Sequence, residues 1–489
     1  MKTIVKIDPE KEYESAKKVI SSLALTSDSS SDLATLDGSV DNLKTVINVL
    51  IERATPKKKK KHPKNTRRRP RNDSKLRKDF DKLPSQKFPD LAVKEQIIRD
   101  EKVPKCPCCQ KEMKEAGLYK TAEKLEVIPK QYYIIRNKRV IYNCSACHGS
   151  MLNAASVPSI SRNSNYGDSL IIDCSLSKYC DLIPIDRYSA IAAREGLEGL
   201  PPNSLITLTH TLSDFLEPVY NRVKCEVQSS DIVYADETPH KMLEGDSTSN
   251  WYLWGFSSLN ACVFEAHDTR GSKVPLKFLS DSSASKVMTD GYGAYKKALK
   301  ELAKIKKIIV EAYCNAHAYR YFRDASTTWT EEAEPFLELY GRIYSIERSP
   351  RPVEEKLLAR QEMMPLFNEL KSKCELAKSE AMPSSTFEKA INYFLNHFPG
   401  LTRCLSDINI PLDNNFSERL LRSPVLGRKT WYGNHSKRGA KTSAVLFSLV
   451  ETCKINQINP RSYFVWICQR VHKKEKLLTP FEYSRLDTG

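Results

Sequence analysis

The sequence predicts a multidomain α/β protein, and three observations support this fold class. Between about residues 229 and 455, short β-rich runs alternate with segments of helical periodicity. Upstream, two C-x₂-C pairs are typical of a small metal-binding module. Segments with helical apolar spacing precede both regions. A chain of 489 residues with 40% hydrophobic residues is long enough for roughly three domains.

The 229–455 region begins with three predicted strands. Apolar residues alternate around Ile232 and Tyr234, which predicts a strand that carries Asp236 at its C-terminal end. Two further β-rich runs, Trp251 to Phe256 and Ala261 to Asp268, are separated by a short polar turn and predict a hairpin. Together they form a three-stranded meander.

A helix, a strand, a second helix and a last strand are predicted next. The first helix lies around Val274 to Leu279, and the strand after it ends at Asp290 and breaks at Gly291. The helix in YGAYKKALKELAK and the strand KIIVEAY follow. This order is that of an RNase H-like fold. Because the first and fourth strands are neighbours in that fold, we expect Asp236 and Asp290 to lie close together.

A third acid, Glu418, is predicted in the first turns of a helix that begins after Asp413 to Asn415. The segment at about 328–408, between Asp290 and this helix, is charged and helical in pattern, which predicts an all-helical insertion. Such an insertion is compatible with a clamp for DNA ends and equally with a purely structural lid.

Three carboxylates that converge from two strands and a helix are typical of a two-metal site for phosphodiester chemistry. Two Mg²⁺ (or Mn²⁺) ions can activate the attacking oxygen and stabilise the leaving oxygen. Mg²⁺ prefers oxygen ligands, and one or two carboxylates with phosphate and water usually hold it. We therefore predict that Asp236, Asp290 and Glu418 are catalytic metal ligands, with Asp236 bridging both ions.

The neighbours of the acids have both functional and structural interpretations. Glu418 can instead complete a capping box with Asn415. The basic residues that follow it can bind phosphate or form i, i+4 surface ion pairs. Cys314 and His317 have C-x₂-H spacing and can bind metal, although a supporting or packing role is favoured. The basic residues concerned are Arg419, Arg422, Arg428 and Lys429.

Two cysteine pairs form the sharpest local motif. Cys106 with Cys109 and Cys144 with Cys147 give four thiolates that suit tetrahedral Zn²⁺. Cys108 and His148 are alternative ligands, and four unmetallated cysteines are the structural alternative. The β-rich residues 127–143 between the pairs predict a hairpin that returns the chain.

The N-terminal 100 residues predict two segments. Residues 1–55 carry helical apolar spacing, broken by a serine-rich stretch. Residues 56–100 begin with dense positive charge, interrupted by Pro63 and Pro70, which predicts an unfolded interaction tail rather than a helix. A solvated linker is the alternative to phosphate contact. The candidate DNA-binding residues are Lys57, Lys58, Lys59, Arg67, Arg68 and Arg69, together with Arg422, Arg428 and Lys429.

Residues 165–228 predict helices broken at Gly196 to Pro202, with Asn203 or Ser204 as the cap of the last helix. They fit a helix-turn-helix-like DNA reader or ordinary packed helices. The full set of predicted divisions is 1–55, 56–100, a zinc-binding domain at 101–155, the helices at 165–228, the catalytic domain at 229–455 and a C-terminal helical segment at 456–489.

Charge and composition limit the partners. A net charge of +17 and a pI of about 9.1 fit a polyanionic partner such as double-stranded DNA. No run of 18 apolar residues and no signal-peptide pattern is present in the sequence, which predicts a soluble cytoplasmic protein with no membrane partner. Fourteen cysteines in such a chain indicate reduced thiols.

Several stretches resemble the transposases of the insertion-sequence-66 family from about Arg67 onward. The resemblance implies a DDE-type, RNase H-like catalytic domain whose acidic triad falls on Asp236, Asp290 and Glu418, and it implies a zinc-binding domain. It also implies helper proteins encoded by the same mobile DNA element. The stretches include CPCCQKEM, YADETPHKML, TDGYGAY, CNAHAYRYF and LDNNFSERLLRSPVLGRKTWYGN.

The function expected from this resemblance is that of a bacterial insertion-sequence transposase. Such an enzyme binds the terminal inverted repeats of its element and target DNA, works as a homo-oligomer in a synaptic complex, and cleaves and transfers strands. Two alternatives are a nuclease that cuts without rejoining and a DNA-binding regulator that uses only the zinc module and the basic segment. An intact triad weighs against the regulator.

Overall fold

The structure is a computed structural model that describes residues 82–100, 102–115, 119, 121–143, 151–162, 164–243 and 250–486. The chain divides into two compact units, Thr55–Tyr132 and the remainder. The N-terminal helices predicted at 1–55 and the basic residues 57–59 and 67–69 lie outside the described residues. Nothing in the described part of the chain has the length and apolar composition of a membrane-spanning helix.

The unit Thr55–Tyr132 contains little regular structure in its described residues. Helix α1 (Pro84–Lys87) is one turn long. Ser85 anchors it, because its backbone N–H and its hydroxyl each donate to the Glu123 carboxylate at 2.8 Å. Side chains here are mostly exposed. Few buried contacts therefore stabilise this segment.

The prediction of a hairpin at 127–143 is wrong. Across the described residues 121–143, the strand is β1 (Ile141–Asn143), and it pairs antiparallel with β2 (Met151–Asn153), which follows the second cysteine pair. Ile134 is 95% exposed. An isolated hairpin is marginal without an apolar face to bury, which explains why β propensity alone did not produce one here.

A five-stranded sheet, in the order β5-β4-β3-β6-β7, forms the centre of the larger unit. The first three strands form the predicted antiparallel meander, and β6 and β7 add in parallel. The first and fourth strands are adjacent, as predicted. The bounds are β3 (Ile232–Lys241), β4 (Asn250–Ser257), β5 (Cys262–His267), β6 (Lys286–Thr289) and β7 (Val310–Tyr313).

The sequence predicted that strand β3 ends at Asp236, but the strand continues to Lys241. It pairs with β6 only at Ile232 to Tyr234, whereas its pairing with β4 extends from Tyr234 to Lys241. Asp236 therefore lies where β6 stops and one side of β3 becomes free. Beyond β6 the strand continues through its pairing with β4, and at its end the Lys241 carbonyl accepts the Asn434 N–H at 3.0 Å.

The helices at 165–228 are packed. Helix α4 contacts α2, α3 and β5, and the predicted apolar face of Leu205, Leu208, Leu212 and Leu216 is buried. The predicted cap at Asn203 or Ser204 is wrong: Pro201 is the N-cap and Pro202 occupies the first turn, where a missing N–H costs nothing. The helices are α2 (Asp168–Tyr179), α3 (Ile185–Arg194) and α4 (Pro202–Gln228).

Helices join and cover the strands. The short helix and the following helix predicted around Asp290 are present as α5 (Lys273–Ser280) and α6 (Gly293–Lys304), and α7 (Asn315–Ala325) follows β7. Four helices and a 3₁₀ turn fill the segment between α7 and Glu418. They are α8 (Thr330–Arg348), α9 (Val353–Gln361), α10 (Met364–Glu380), α11 (Thr386–Leu401) and the turn Arg403–Leu405.

Three of these helices, α8, α10 and α11, share a core with one face of the sheet. Ile232, Tyr234 and Met288 pack in the same apolar cluster as Phe322, and the buried stripes of α8, α10 and α11 complete it. Val233 points to the opposite face, because side chains alternate along a strand, and it is also fully buried. Both faces of the central strands are thus covered.

The chain ends with helices that protect the sheet edge. The N–H groups of Cys262 and Phe264 on edge strand β5 donate to the hydroxyls of Thr452 and Ser448 on α14 at 3.0 and 2.8 Å. Side-chain hydroxyls thereby replace a missing neighbouring strand. The last helices are α12 (Asn415–Leu420), α13 (Arg422–Trp431), α14 (Lys437–Ile455), α15 (Pro460–Lys473) and α16 (Pro480–Ser484).

Candidate active site

Asp236 lies among other acids. It is half-buried, and the backbone N–H of Glu237 donates to its Oδ1 at 2.9 Å. Burial raises the pKa of Asp236 well above its usual range, and the charges of Glu237, Asp290 and Glu418 raise it further. The fold therefore brings the three predicted acids within electrostatic reach of one another, although they are far apart in sequence.

Asp290 follows β6 directly, at the predicted strand end. The backbone N–H of Tyr292 donates to its Oδ1 at 2.8 Å, and the Tyr393 hydroxyl donates to its carbonyl at 2.6 Å. Gly291 has a φ of 85°, and a Cβ there would lie 2.6 Å from the ring of His397. Only glycine fits this turn without strain, so the backbone fixes the direction of the Asp290 carboxylate.

Glu418 lies in the first turn of α12, as predicted, but its partner is a residue that sequence reasoning missed. Arg320 on α7 donates from Nη1 and Nη2 to the two carboxylate oxygens at 3.0 and 2.5 Å, and it also contacts Asn415 at 3.1 Å. The spacing of His317 and Arg320, one turn apart on α7, was the available signal.

The two structural alternatives for Glu418 do not match its contacts. Its ion-pair partners in the described residues are Arg320 and, at 3.6 Å, His317 rather than Arg422. The N-cap of α12 is Asn414, and the Asp413 carboxylate accepts from the Asn415 N–H at 3.0 Å. A capping box between Asn415 and Glu418 is therefore absent, because the Asn415 side chain faces Arg320 instead.

Cys314 and His317 both reach Glu418. Their ligand atoms and a Glu418 oxygen lie within 4.8 Å of one another, the geometry of a possible metal group. Cys314 Sγ also accepts the Asn414 N–H at 3.2 Å, and burial raises the pKa of this thiol to about 12. Burial lowers the pKa of His317, whose buried Nδ1 has no hydrogen-bond partner. The geometry thus allows a supporting role and a metal role.

Glu237 has partners of its own. Its side chain is 1% exposed, and it accepts from Arg270 at 2.9 and 2.7 Å and from the Tyr295 hydroxyl at 2.6 Å. Burial raises the pKa of Glu237, while these hydrogen bonds act against that rise. Sequence reasoning missed these three residues, since only the position of Glu237 next to Asp236 hinted at the site.

The candidate DNA-binding residues that the structure describes lie on α13. Arg422 and Lys429 are exposed, and Arg428 is half-buried, with Nη1 3.5 Å from Thr238 Oγ1 on β3. Burial lowers the pKa of Arg428. This contact places one cationic side chain of α13 beside the strand that carries Asp236.

One of the predicted zinc knuckles is described. The Gln110 N–H donates to the Cys106 carbonyl at 2.9 Å, and the Cys106 N–H donates to the Lys111 carbonyl at 2.8 Å, which closes a tight turn. Backbone hydrogen bonds from Cys109 and Cys108 lower the pKa of the Cys106 thiol, which favours the thiolate that binds zinc. Cys144, Cys147 and His148 lie outside the described residues.

Comparison with known proteins gives the family. A family model described as the transposase IS66 family matches residues 163–442, which include Asp236, Asp290 and Glu418. The chain belongs to this transposase family. A second model, the zinc-finger binding domain of transposase IS66, matches residues 104–148 and spans both cysteine pairs. The family resemblance and the zinc-binding domain expected from the sequence are confirmed.

Relatives of the family occur in Sinorhizobium fredii. The uncharacterized protein y4hP is 26% identical over 429 residues, which cover 81% of this chain and 76% of the relative. The uncharacterized protein y4jD is 27% identical over 390 residues, which cover 75% of this chain and 74% of the relative. The similarity therefore extends through most of the length of each protein.

Proposed function

We propose that the chain is a DDE transposase that binds the ends of a bacterial insertion sequence and catalyses metal-dependent strand cleavage and strand transfer. The observation that carries this proposal is geometric: Asp236 lies on β3, Asp290 directly follows the adjacent β6, and Glu418 lies on α12, which contacts β3. A sheet order of β5-β4-β3-β6-β7, with one acid on β3 and one directly after the adjacent β6, supports an RNase H-like catalytic domain. Helices α8 to α11 are its insertion.

The acids fit a pair of divalent cations. Burial and like charge disfavour an ionised Asp236, and no basic side chain of the described residues pairs with it. Hard carboxylate oxygens are the donors that Mg²⁺ and Mn²⁺ prefer. Asp236, Asp290 and Glu418 would hold the ions, which when bound supply activation of the attacking oxygen and stabilisation of the leaving oxygen.

The remaining residues of the site orient these carboxylates. Backbone N–H groups of Glu237 and Tyr292 hold the carboxylates of Asp236 and Asp290. Arg320 holds that of Glu418 through two hydrogen bonds. We assign Cys314 and His317 supporting roles, because Cys314 accepts the N–H of the residue that caps α12.

The other parts of the chain serve DNA binding in this proposal. Cys106, Cys109, Cys144 and Cys147 bind one structural Zn²⁺, since thiolates in two knuckles match its tetrahedral preference. Basic residues of the 56–100 segment and of α13 contact phosphates. Strand transfer joins two element ends to one target, so a homo-oligomer in a synaptic complex is expected, with accessory proteins of the same element as further partners.

Three substitutions test the proposal. Asp236→Asn, Asp290→Asn and Glu418→Gln should each reduce cleavage of a labelled element end in Mg²⁺ by about a thousandfold or more, because a metal ligand supplies several kcal/mol to the transition state. DNA binding should remain. Asp281→Asn, at an exposed carboxylate after α5, is the matched control. Wild-type turnover by any of the three variants would remove that residue from the site.

A further inference from the structure

A cavity of about 670 Å³ is lined in part by Tyr292, which lies two residues after Asp290. Its walls come from the loop between β5 and α5 and from the start of α6. The volume falls in the range of small-ligand sites, which is roughly 300–1,000 Å³. None of its lining residues is among the acids or cysteines assigned above.

The cavity is positively charged. Arg270, Lys273 and Lys297 line it, and Asp268 is the acidic residue that lines it. Helices α5 and α6 both begin here, and neither has an acidic residue in its first turn or a side-chain hydrogen bond at its N-cap. Glu237 already balances the charge of Arg270, so Lys273 and Lys297 against Asp268 leave an excess of positive charge. The positive ends of two helix dipoles add to this charge, and the cavity therefore favours an anion.

The cavity is also attached to the acidic site. Arg270 donates to Glu237, the neighbour of Asp236, and its guanidinium lies 3.9 Å from the ring centre of Tyr292. The N–H of Tyr292 donates to Asp290. Two residues of the cavity lining are thus hydrogen-bonded to Glu237 and to Asp290, which links the cavity to the acids that a DNA strand would have to reach.

We propose that this cavity is a subsite for a backbone phosphate of the DNA strand that is cut, bound chiefly by Lys273 and Lys297. The inference rests on the proposed function and adds a residue-level contact to it. The anionic oxygens of one phosphodiester accept from the two ammonium groups, while Arg270 remains paired with Glu237. The subsite holds the strand in register at the acids without reading base edges.

Methylphosphonate substitution tests the contact directly. End duplexes from the DNA element that encodes the chain are made with one neutral methylphosphonate at a time, and affinity is measured without added Mg²⁺. For the wild type, one position should weaken binding on the order of tenfold, the effect of about 1.4 kcal/mol. The double variant Lys273→Gln and Lys297→Gln should bind all-phosphate DNA more weakly by a similar factor and show no further loss at that position.

The control is the double variant Lys277→Gln and Lys300→Gln, which removes exposed lysines from the same two helices outside the cavity lining. It should remain sensitive to the methylphosphonate. Thermal melting of both double variants checks that they fold. If the cavity variant keeps the wild-type sensitivity at every position, the subsite does not exist.

Two further measurements distinguish failure of the cavity proposal from failure of the proposed function. Cleavage of the same duplexes in Mg²⁺ by the wild type tests the proposed function by itself, because absent cleavage overturns that function whatever the cavity binds. Inorganic phosphate is added as a competitor. If it protects the cavity lysines from chemical modification while no duplex position is sensitive, the ligand is a free phosphate and the DNA assignment is overturned.

Discussion

Val233, Phe256 and Val287 in the sheet are fully buried, whereas Val127, Tyr133 and Ile134 between the two cysteine pairs are 83%, 78% and 95% exposed. The sheet has an apolar core on both faces and an edge satisfied by the hydroxyls of α14. The segment between the cysteine pairs has no comparable core among its described residues. Both regions are expected to hold metal, and they need it for different reasons.

In the proposed zinc module, metal would replace a core. Four thiolates around Zn²⁺ would supply folding free energy that exposed side chains cannot provide. In the five-stranded sheet, packing already fixes the backbone, and the proposed metal ions would offset the charge of carboxylates that burial and mutual repulsion make unfavourable. Removing metal should therefore unfold the first region and leave the second folded.

The largest expected effect is on the zinc module. Purified protein should contain about one Zn²⁺ per chain, and a strong chelator should unfold residues 104–148 and weaken end binding. Hydrogen exchange should show that the backbone amides of residues 104–148 lose protection when zinc is removed, whereas those of β3 to β6 keep theirs. Cys106→Ser should behave like the chelated protein, while Cys225→Ser, at an exposed cysteine of α4, is the control. Elemental analysis that finds no zinc would contradict the proposal that metal stabilises this module.

The ion pair between Arg320 on α7 and Glu418 sharpens the comparison, because Arg320 already balances the charge of this acid without metal. Glu418→Gln and Arg320→Gln should each lower the free energy of unfolding by about 1–2 kcal/mol, since each breaks a charge-assisted pair that is partly exposed. Glu334→Gln on the exposed face of α8 should change it little. Denaturant titration of the three variants measures this, and equal stabilities would mean that the pair contributes nothing.

Asp236→Asn should act in the opposite direction. Without added divalent ion, removing this charge relieves repulsion from neighbouring acids, so we expect a gain of about 1 kcal/mol and a rise in melting temperature of roughly 2 °C. The buried Trp254 on β4 is a fluorescent probe for this region. A lower melting temperature for Asp236→Asn would show that the carboxylate is satisfied without metal.

The smallest effect concerns the basic segment, Lys57 to Arg71. Its deletion should weaken binding to specific and random DNA by similar factors and reduce the slope of log affinity against log salt by roughly 0.9 per lost phosphate contact. Proline-broken, flexible cations reach phosphates but are not placed to read base edges. Titrations of both DNAs across salt measure this, and a selective loss for the element end would mean that the segment reads sequence.

Local patterns predicted the elements that local chemistry specifies. The meander, the adjacency of β3 and β6, the break after Asp290 and the helix that carries Glu418 all follow from alternation, turn residues and chain order. The position of Asp236 within β3 did not, because strand length depends on which neighbour is paired at each residue. That information lies in the partner strands.

Contacts between residues that are distant in sequence could not be predicted either. Arg320 and Glu418 are 98 residues apart, and Arg270 and Glu237 are 33 apart, so no local pattern connects either pair. Single-sequence reasoning considers neighbours first, which is why an i, i+4 ion pair with Arg422 was the structural alternative for Glu418. The hairpin at 127–143 failed for the converse reason, since β propensity was present without a surface for the strands to cover.

A change of metal preference tests the role of Asp236 most directly. Asp236→Cys replaces a hard oxygen ligand by a softer sulfur, which binds Mg²⁺ poorly and Mn²⁺ better. In cleavage assays on a labelled element end, we predict no detectable turnover by Asp236→Cys in Mg²⁺ and partial recovery in Mn²⁺, whereas Asp281→Cys should cleave like the wild type in both ions. Near wild-type cleavage by Asp236→Cys in Mg²⁺ would contradict the assignment of Asp236 as a catalytic metal ligand.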